Sequence, residues 1–473
     1  MRARQERLLR QKESAATKIE RLRQTVAILQ ERNEKKRVLL KENALQLNAR
    51  KRAEIHWRRH FNRVLRFREW VIEENAGVPV DVCIVHDSHA LEAGMAIKEM
   101  TGCDLVYDCV EYPDYTGRAP TTQEKFSGDD SYLTQSVHIQ EARITSAAST
   151  ILAGTRGVAE WHLKNPRNVQ AKVVRNCLDY MEMPRDTRIR EDCGLAENDR
   201  LLLYPNTLFP LCGIEQTLDA LAMLPEDIHL AIVGPAAEKY LEDIGFRAES
   251  LGGRVHILPL RQPGDLLEYR SGADCSLIPF DPSFPNHATC LPNRVFESIM
   301  SRTPLIISDL PYIKELITEH HCGLAFEDFS AESLAETIRE FYRHFDFYRN
   351  NVAEAAKVLC WEHERKVYLE ALEPTLRGRK HLKVLFLANK PIDSNRRMFR
   401  HSRELADLGH QVTVQSLRPP FSEFQDARIS YMGIREPFMT GMQIFPGLLG
   451  AIARQKDALH PGRDGVAESP SAE

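Results

Sequence analysis

Long apolar runs are missing from this chain. No stretch of about 18 apolar residues occurs, so no segment reads as a membrane-spanning helix. Cysteine pairs are missing as well: the ten cysteines are scattered, no C-x-x-C occurs, and most stand inside apolar runs. That pattern reads as reduced, buried thiols in a cytosolic protein and not as a disulfide framework or a zinc site. There is no Asp-x-Asp between a strand and a helix, and the 17 histidines show no ligand spacing, so no metal site is expected. Glycine and proline are absent from residue 1 to Glu74, which excludes tight turns there and leaves a long helix. The opening MRARQERLLRQKE has no apolar h-region and does not read as a secretory signal.

What is there is uneven. The net charge is −4, but residues 1–70 hold 21 Lys and Arg against 8 Asp and Glu, leaving 42 against 59 for the rest. A basic arm therefore precedes an acidic body. Such an arm suits an anionic membrane surface or the acidic body of a partner subunit, and no nucleic-acid partner is expected. Ile19, Val26, Asn33, Leu40 and Leu47 fall at one heptad position, with Leu8, Ala15, Leu22, Leu29, Lys36 and Asn43 three residues on. This seam predicts a self-associating coiled coil over 1–50, with Asn33 as a register residue. Between 51 and 74, Trp57, Phe61, Leu65 and Phe67 alternate with Arg58, Arg59, Arg63, Arg66 and Arg68. Two readings stand: an interfacial helix at an anionic bilayer, or a helix covering a sheet with its arginines in water.

From residue 80 the pattern changes to strand and helix in alternation. Apolar runs at Val80–Asp87, Asp104–Glu111, Thr150–Ala153 and Lys172–Val174 read as buried parallel strands, with a helix Ala90–Met100 stopped by Gly102. A polar stretch, 178–200, reads as a linker. A second series follows: strands at Leu201–Pro205, His229–Pro235, Val255–Leu260, Asp274–Phe280 and Thr303–Asp309, then helices to Leu372. The expected fold class is α/β, two Rossmann-like domains preceded by the coiled coil. His381–Leu417 reads as strand, helix, Gly409 stop and strand, the opening β-α-β of a Rossmann domain placed last. The expected divisions are 1–50, 51–180, 181–372, 381–455 and a disordered tail 456–473.

Asn286–Ile317, NHATCLPNRVFESIMSRTPLIISDLPYIKELI, resembles the donor-site segment of family-4-type glycosyltransferases of the two-domain GT-B kind. The family's Pro-Asn-Lys, Glu, Pro-hydrophobic strand and second Glu stand here as Pro292-Asn293-Arg294, Glu297, Pro304 with Leu305–Ser308, and Glu315. Val85–Tyr112, Val173–Tyr180 and Gly213–Pro235 resemble further parts of the same family, so the likeness covers nearly all of 80–372. It implies transfer of a sugar from a nucleotide-sugar donor to a hydroxyl acceptor on a glycan or lipid, retention at the anomeric carbon, and no cofactor beyond the co-substrate. Glu297 is expected on ribose or sugar hydroxyls, and Arg294 with Asn293 on the diphosphate. Gly213 and Gly234 belong to the same donor loops. Glu111 and His86 are the expected catalytic residues, with Asp87, Asp108 and Arg396 on the acceptor side. Arg397 stands beside Arg396 and can face the same cleft.

The chain departs from the family pattern at three places. Thr289 replaces a common Glu, the Tyr107–Glu111 motif lacks its His, and the loop PNTLFPLCG after the first donor-domain strand has no cation. The family's first β-α-β is also displaced to 381–417. Either this segment completes the sheet of 75–180, a circular permutation, or it begins a truncated second copy. Two other functions remain open: a coiled-coil assembly protein with a degenerate transferase body, and a sugar-nucleotide epimerase on the same fold.

Overall fold

The computed structural model describes residues 62–434 apart from 111–138, 140, 164–170, 210, 237, 260, 262, 392–395 and 421–424. The coiled-coil seam, Trp57, Phe61, Glu111 and the tail 456–473 lie outside the described residues.

Among the described residues, thirteen strands form two sheets. They are β1 (Val82–His86), β2 (Asp104–Cys109), β3 (Thr150–Ala153), β4 (Ala171–Val173), β5 (Arg200–Tyr204), β6 (Ile228–Ile232), β7 (Val255–Ile257), β8 (Cys275–Ile278), β9 (Leu305–Ser308), β10 (Gly323–Phe326), β11 (Lys383–Ala388), β12 (Gln411–Ser416) and β13 (Ile429–Gly433). The first sheet runs β13-β12-β11-β1-β2-β3-β4 and the second β10-β9-β8-β5-β6-β7. Every neighbouring pair is parallel. Read from β5, the second sheet has the order 3-2-1-4-5-6 of doubly wound nucleotide-binding folds. The first sheet has that order too, with one further strand, once β11 is counted as its first. Val82 to His86 pair with Val384 to Ala388, so the last described strands and the first share one sheet.

The period of two along each strand sends alternate side chains to opposite cores. Cys83, Val85, Leu105, Tyr107, Leu385 and Leu387 join one cluster. Val82, Ile84, Val106, Val384 and Phe386 join the other. The helical residues 62–74 cover the first cluster with Phe67, Trp70 and Val71, while Arg66 stays exposed. Within the described residues, this segment is a helix covering a sheet, and its aromatic face is not available to a bilayer. The second cluster is closed by the helices Trp361–Leu376 and Arg396–Asp407. The first of these follows the second sheet in the chain yet packs on the first.

β3 matches its apolar run, and the other strands announced by such runs end one to three residues short of them, β6 and β7 by three. At β1 the reason is visible: Asp87 has φ 65 and ψ 159, a turn out of the sheet that non-glycine residues rarely adopt. The polar stretch 178–200 is more than a linker, because a short helix Arg188–Asp192 buries Ile189 against the cluster of Leu201, Leu203 and Tyr269. No helix among the described residues is long and apolar enough to cross a membrane.

Candidate active site

Doubly wound sheets bind ligands beyond the carboxyl ends of their strands, where the order reverses. In the second sheet that point lies between β5 and β8. The loop after β5 is packed backbone to backbone there. Asn206 is fully buried and its Nδ2 donates to the Leu277 carbonyl at 2.9 Å. Gly234 lies so close that a Cβ would stand 1.9 Å from the Asn206 carbonyl oxygen. Gly213, at φ 72, precedes the helix Ile214–Ala222, and a Cβ there would stand 1.8 Å from the Pro279 oxygen. Gly213→Ala should therefore cost about 2 kcal/mol or more, the sum of a left-handed backbone penalty and a clash with rigid backbone. Urea unfolding measures this, and a loss under about 0.5 kcal/mol would contradict the stated packing.

The helix Asn293–Met300 begins at Pro292 with no side-chain cap, so its first N–H groups are open to an anion. Arg294 turns back over the β5 loop: its Nε donates to the Pro205 carbonyl and its Nη2 to Thr207 Oγ1, both at 3.0 Å. The loop that has no cation of its own thus receives one from the helix beside it. One turn on, Glu297 Oε2 accepts from Arg270 Nη1 at 2.7 Å. Arg270 is buried, and burial lowers its pKa against the pull of Glu297, with Arg294 and Arg396 adding to the decrease. Glu315 is not beside this cluster: its carboxylate takes Arg156 at 2.6 Å on an exposed surface.

In the first sheet the reversal lies between β11 and β1. His86 ends β1, is buried, and its Nδ1 stands 3.0 Å from Asp108 Oδ2. Asp108 is enclosed. Its carboxylate takes Arg397 through Nε at 3.0 Å and Nη2 at 2.7 Å, and His401 Nδ1 stands 3.4 Å away. Burial works to raise the Asp108 pKa, but the Arg397 charge and the two imidazoles hold it well below the carboxylate range. Asp108 is thus enclosed by Arg397, His86 and His401. Asp87 is buried as well, which works to raise its pKa, but Lys390, 2.5 Å from its Oδ2, with His86 and His89 adding, brings it down to about 2. Behind it, Glu141 is enclosed, accepts the Tyr107 hydroxyl at 2.6 Å, and is pushed up to about 8 by burial. Arg396 opens the helix Arg396–Asp407, is half-buried, and makes no hydrogen bond or ion pair among the described residues.

The two halves meet through the crossover after β4. Arg400 Nη2 donates to the Asn176 side-chain oxygen, and Asn176 Nδ2 donates to Asn293 Oδ1 at the start of the helix Asn293–Met300. Thr155 Oγ1 adds a bond to the Thr289 carbonyl at 2.7 Å. Asn293, Arg294 and Glu297 thus stand together with Gly213 and Gly234 around one loop cluster. His86, Asp87, Asp108 and Arg396 gather at the other sheet. Sequence reading missed Arg270, Arg400, His401, Asn176, Lys390 and Glu141. Only the Arg396/Arg400 and Arg397/His401 pairs carried a signal, the i, i+4 spacing that puts both members of a pair on one helix face.

Comparison with known proteins agrees with this geometry. Residues 185–358, which span the second sheet, match the family model for glycosyl transferases group 1. A curated relative is the lipopolysaccharide glucosyltransferase WaaG of Escherichia coli K12, 27% identical over 165 residues, 34% of this chain and 42% of that protein. The matched stretch thus spans less than half of that relative's length. Among solved structures, Anabaena HepE in complex with UDP and glucose superposes with a TM-score of 0.51 at 18% identity, covering 62% of this chain and 78% of that one. A sucrose-phosphate synthase from Thermosynechococcus elongatus gives 0.51 at 16%, covering 64% and 75%. The fold is the GT-B pair of Rossmann-like domains, and the second of them carries the match to glycosyl transferases group 1.

Proposed function

We infer that this chain, with its group 1 glycosyltransferase domain at 185–358, moves a sugar from a nucleotide-sugar donor to a hydroxyl acceptor on a glycan or lipid. The observation that carries the reading is the cradle at the carboxyl end of the second sheet: an uncapped helix start at Asn293, Arg294 held across the β5 loop, and Glu297 aimed by Arg270. A diphosphate needs N–H donors and a cation, and the first two supply them. A ribose or sugar diol needs an acceptor fixed in place, and a carboxylate locked by a buried guanidinium is one. Gly213 and Gly234 let the loops that frame this cradle pack backbone to backbone.

Departure of the diphosphate then leaves negative charge beside Arg294 and the helix dipole, with no metal assigned a part. On the opposite sheet His86, Asp87 and Glu111 are the groups proposed to meet the acceptor, and transfer is proposed to retain the anomeric configuration. The strand order supports a circular permutation, since β11 to β13 stand where the first three strands of such a sheet belong. Synthesis of a surface polysaccharide or glycolipid, at the cytoplasmic face of a membrane met by the basic arm, and self-association through the heptad seam complete the proposal.

The test is a thermal-shift titration with UDP, GDP and ADP without added metal. A ligand that binds only the folded state at about 100 times its Kd adds about 2.7 kcal/mol. One nucleotide should raise the Tm, and Glu297→Ala should abolish that rise. No rise with any of the three would favour an assembly protein with a degenerate body. Conversion of a sugar nucleotide without any acceptor would favour an epimerase.

A further inference from the structure

Five guanidinium groups form one series from the donor helix to the buried carboxylate of the first sheet: Arg294, Arg270, Arg396, Arg400 and Arg397. Two carboxylates hold members of it by direct contact, Glu297 on Arg270 and Asp108 on Arg397. Among the described residues no carboxylate is in contact with Arg396 or Arg400. Arg400 is only 8% exposed. Its plane rests on the Trp361 ring at 5.7 Å, its Nη2 donates to the neutral Asn176 side chain, and its Nε is enclosed without a partner. Burying a cation without a counter-ion is costly. Burial, opposed first by the Asp179 charge and then by Cys177, and with Arg397 and Arg396 adding, brings the Arg400 pKa down to about 10. Arg396, one turn earlier on the same face, opens the helix and has no partner among the described residues.

A donor diphosphate would occupy Arg294 and the uncapped start of the helix Asn293–Met300, which leaves this second cationic patch unanswered. We propose that the acceptor carries an anionic phosphate group, bound by Arg396 and Arg400 at the start of the helix Arg396–Asp407. The inference rests on the transferase reading for the word acceptor, but the anion site stands on its own contacts. Arginine suits phosphate because its fork matches two oxygens at once, and both guanidinium groups act beside a helix N-terminus.

The probe is inorganic phosphate, titrated by calorimetry into full-length protein already saturated with UDP, at constant ionic strength set with chloride. The expected result is saturable binding that UDP does not displace. Arg396→Gln and Arg400→Gln should each weaken it at least tenfold and change UDP affinity less than about threefold. If Arg400→Gln does not fold, Arg396→Gln and Arg400→Lys carry the test. Phosphate binding without UDP binding, lost in the variants, would keep this site and reject the donor reading. Phosphate that merely competes with UDP, variants that weaken UDP as much as phosphate, or no phosphate binding to the UDP-bound protein would each overturn the proposal. Displacement of the phosphate by a hexose phosphate identifies a soluble acceptor, and displacement by vesicles of phosphatidic acid a lipid one.

Discussion

Glu297→Ala is expected to lower turnover tenfold to more than a hundredfold and to destabilise the fold at the same time. The first effect follows from the donor role: hydroxyls that lose their acceptor in a closed site cost about 1–3 kcal/mol, which is that range in rate. The second follows from Arg270. Its side chain is 6% exposed and Glu297 is its one ion-pair partner among the described residues, so the variant leaves a buried cation uncompensated, a loss of up to about 3–5 kcal/mol. The double variant Arg270→Met with Glu297→Ala separates them. Stability should recover in large part, because an apolar side chain of similar length needs no counter-ion, while nucleotide binding and turnover should stay low. Unaltered turnover in Glu297→Ala would remove this residue from the donor site. Recovery of turnover in the double variant would show that Glu297 serves only to hold Arg270.

The fold was legible because parallel strands buried on both faces read as continuous apolar runs, and nearly every run from Val80 to Leu417 became a strand. β10 and β13 were not: Gly323–Phe326 falls in the stretch expected to be helices up to Leu372, and both it and Ile429–Gly433 carry only a partly buried, mixed pattern at a sheet edge. The residues proposed for the donor were easy to single out because they sit close together in sequence on one helix start, Asn293 to Glu297. What holds them was not, because ion pairs and bridges join residues far apart in the chain. Arg270 is 27 residues from Glu297, Asn176 is 117 from Asn293, and Arg397 is 289 from Asp108. Charge count along a chain also misplaces cations. The β5 loop looks empty of them in sequence, yet Arg294 lies across it, 89 residues beyond Pro205.

Acid should weaken the fold in two separate windows, and His401→Phe should remove one contribution to the first. His401 is buried and stacks on the rings of Trp361 and Tyr368, with the Tyr368 centroid 4.0 Å away. The charged groups facing it are Asp108 from β2, His86 from β1 and Arg397 from its own helix. Burial and the Arg397 charge outweigh Asp108 and bring its pKa from an ordinary 6.5 down to about 4. Between those values the unfolded chain binds a proton that the folded protein refuses. Stability therefore falls as pH drops from about 6.5 to 4, by on the order of 3 kcal/mol, and this contribution levels off below. Asp108 works in the next window. Its folded pKa is depressed, so its contribution is present above about pH 4 and is lost only below it. Five other histidines, His229, His256, His287, His320 and His410, are also held below their ordinary value, so the measurement is the difference between two proteins. Phenylalanine keeps the ring stack and leaves Asp108 to Arg397 and His86. Urea unfolding at pH 7, 5.5 and 4.5 should show His401→Phe losing less stability on acidification than the parent, with the gap widest at pH 4.5. Parallel curves would mean that His401 takes up its proton in place, and that the Asp108 carboxylate, not the aromatic cage, sets its charge.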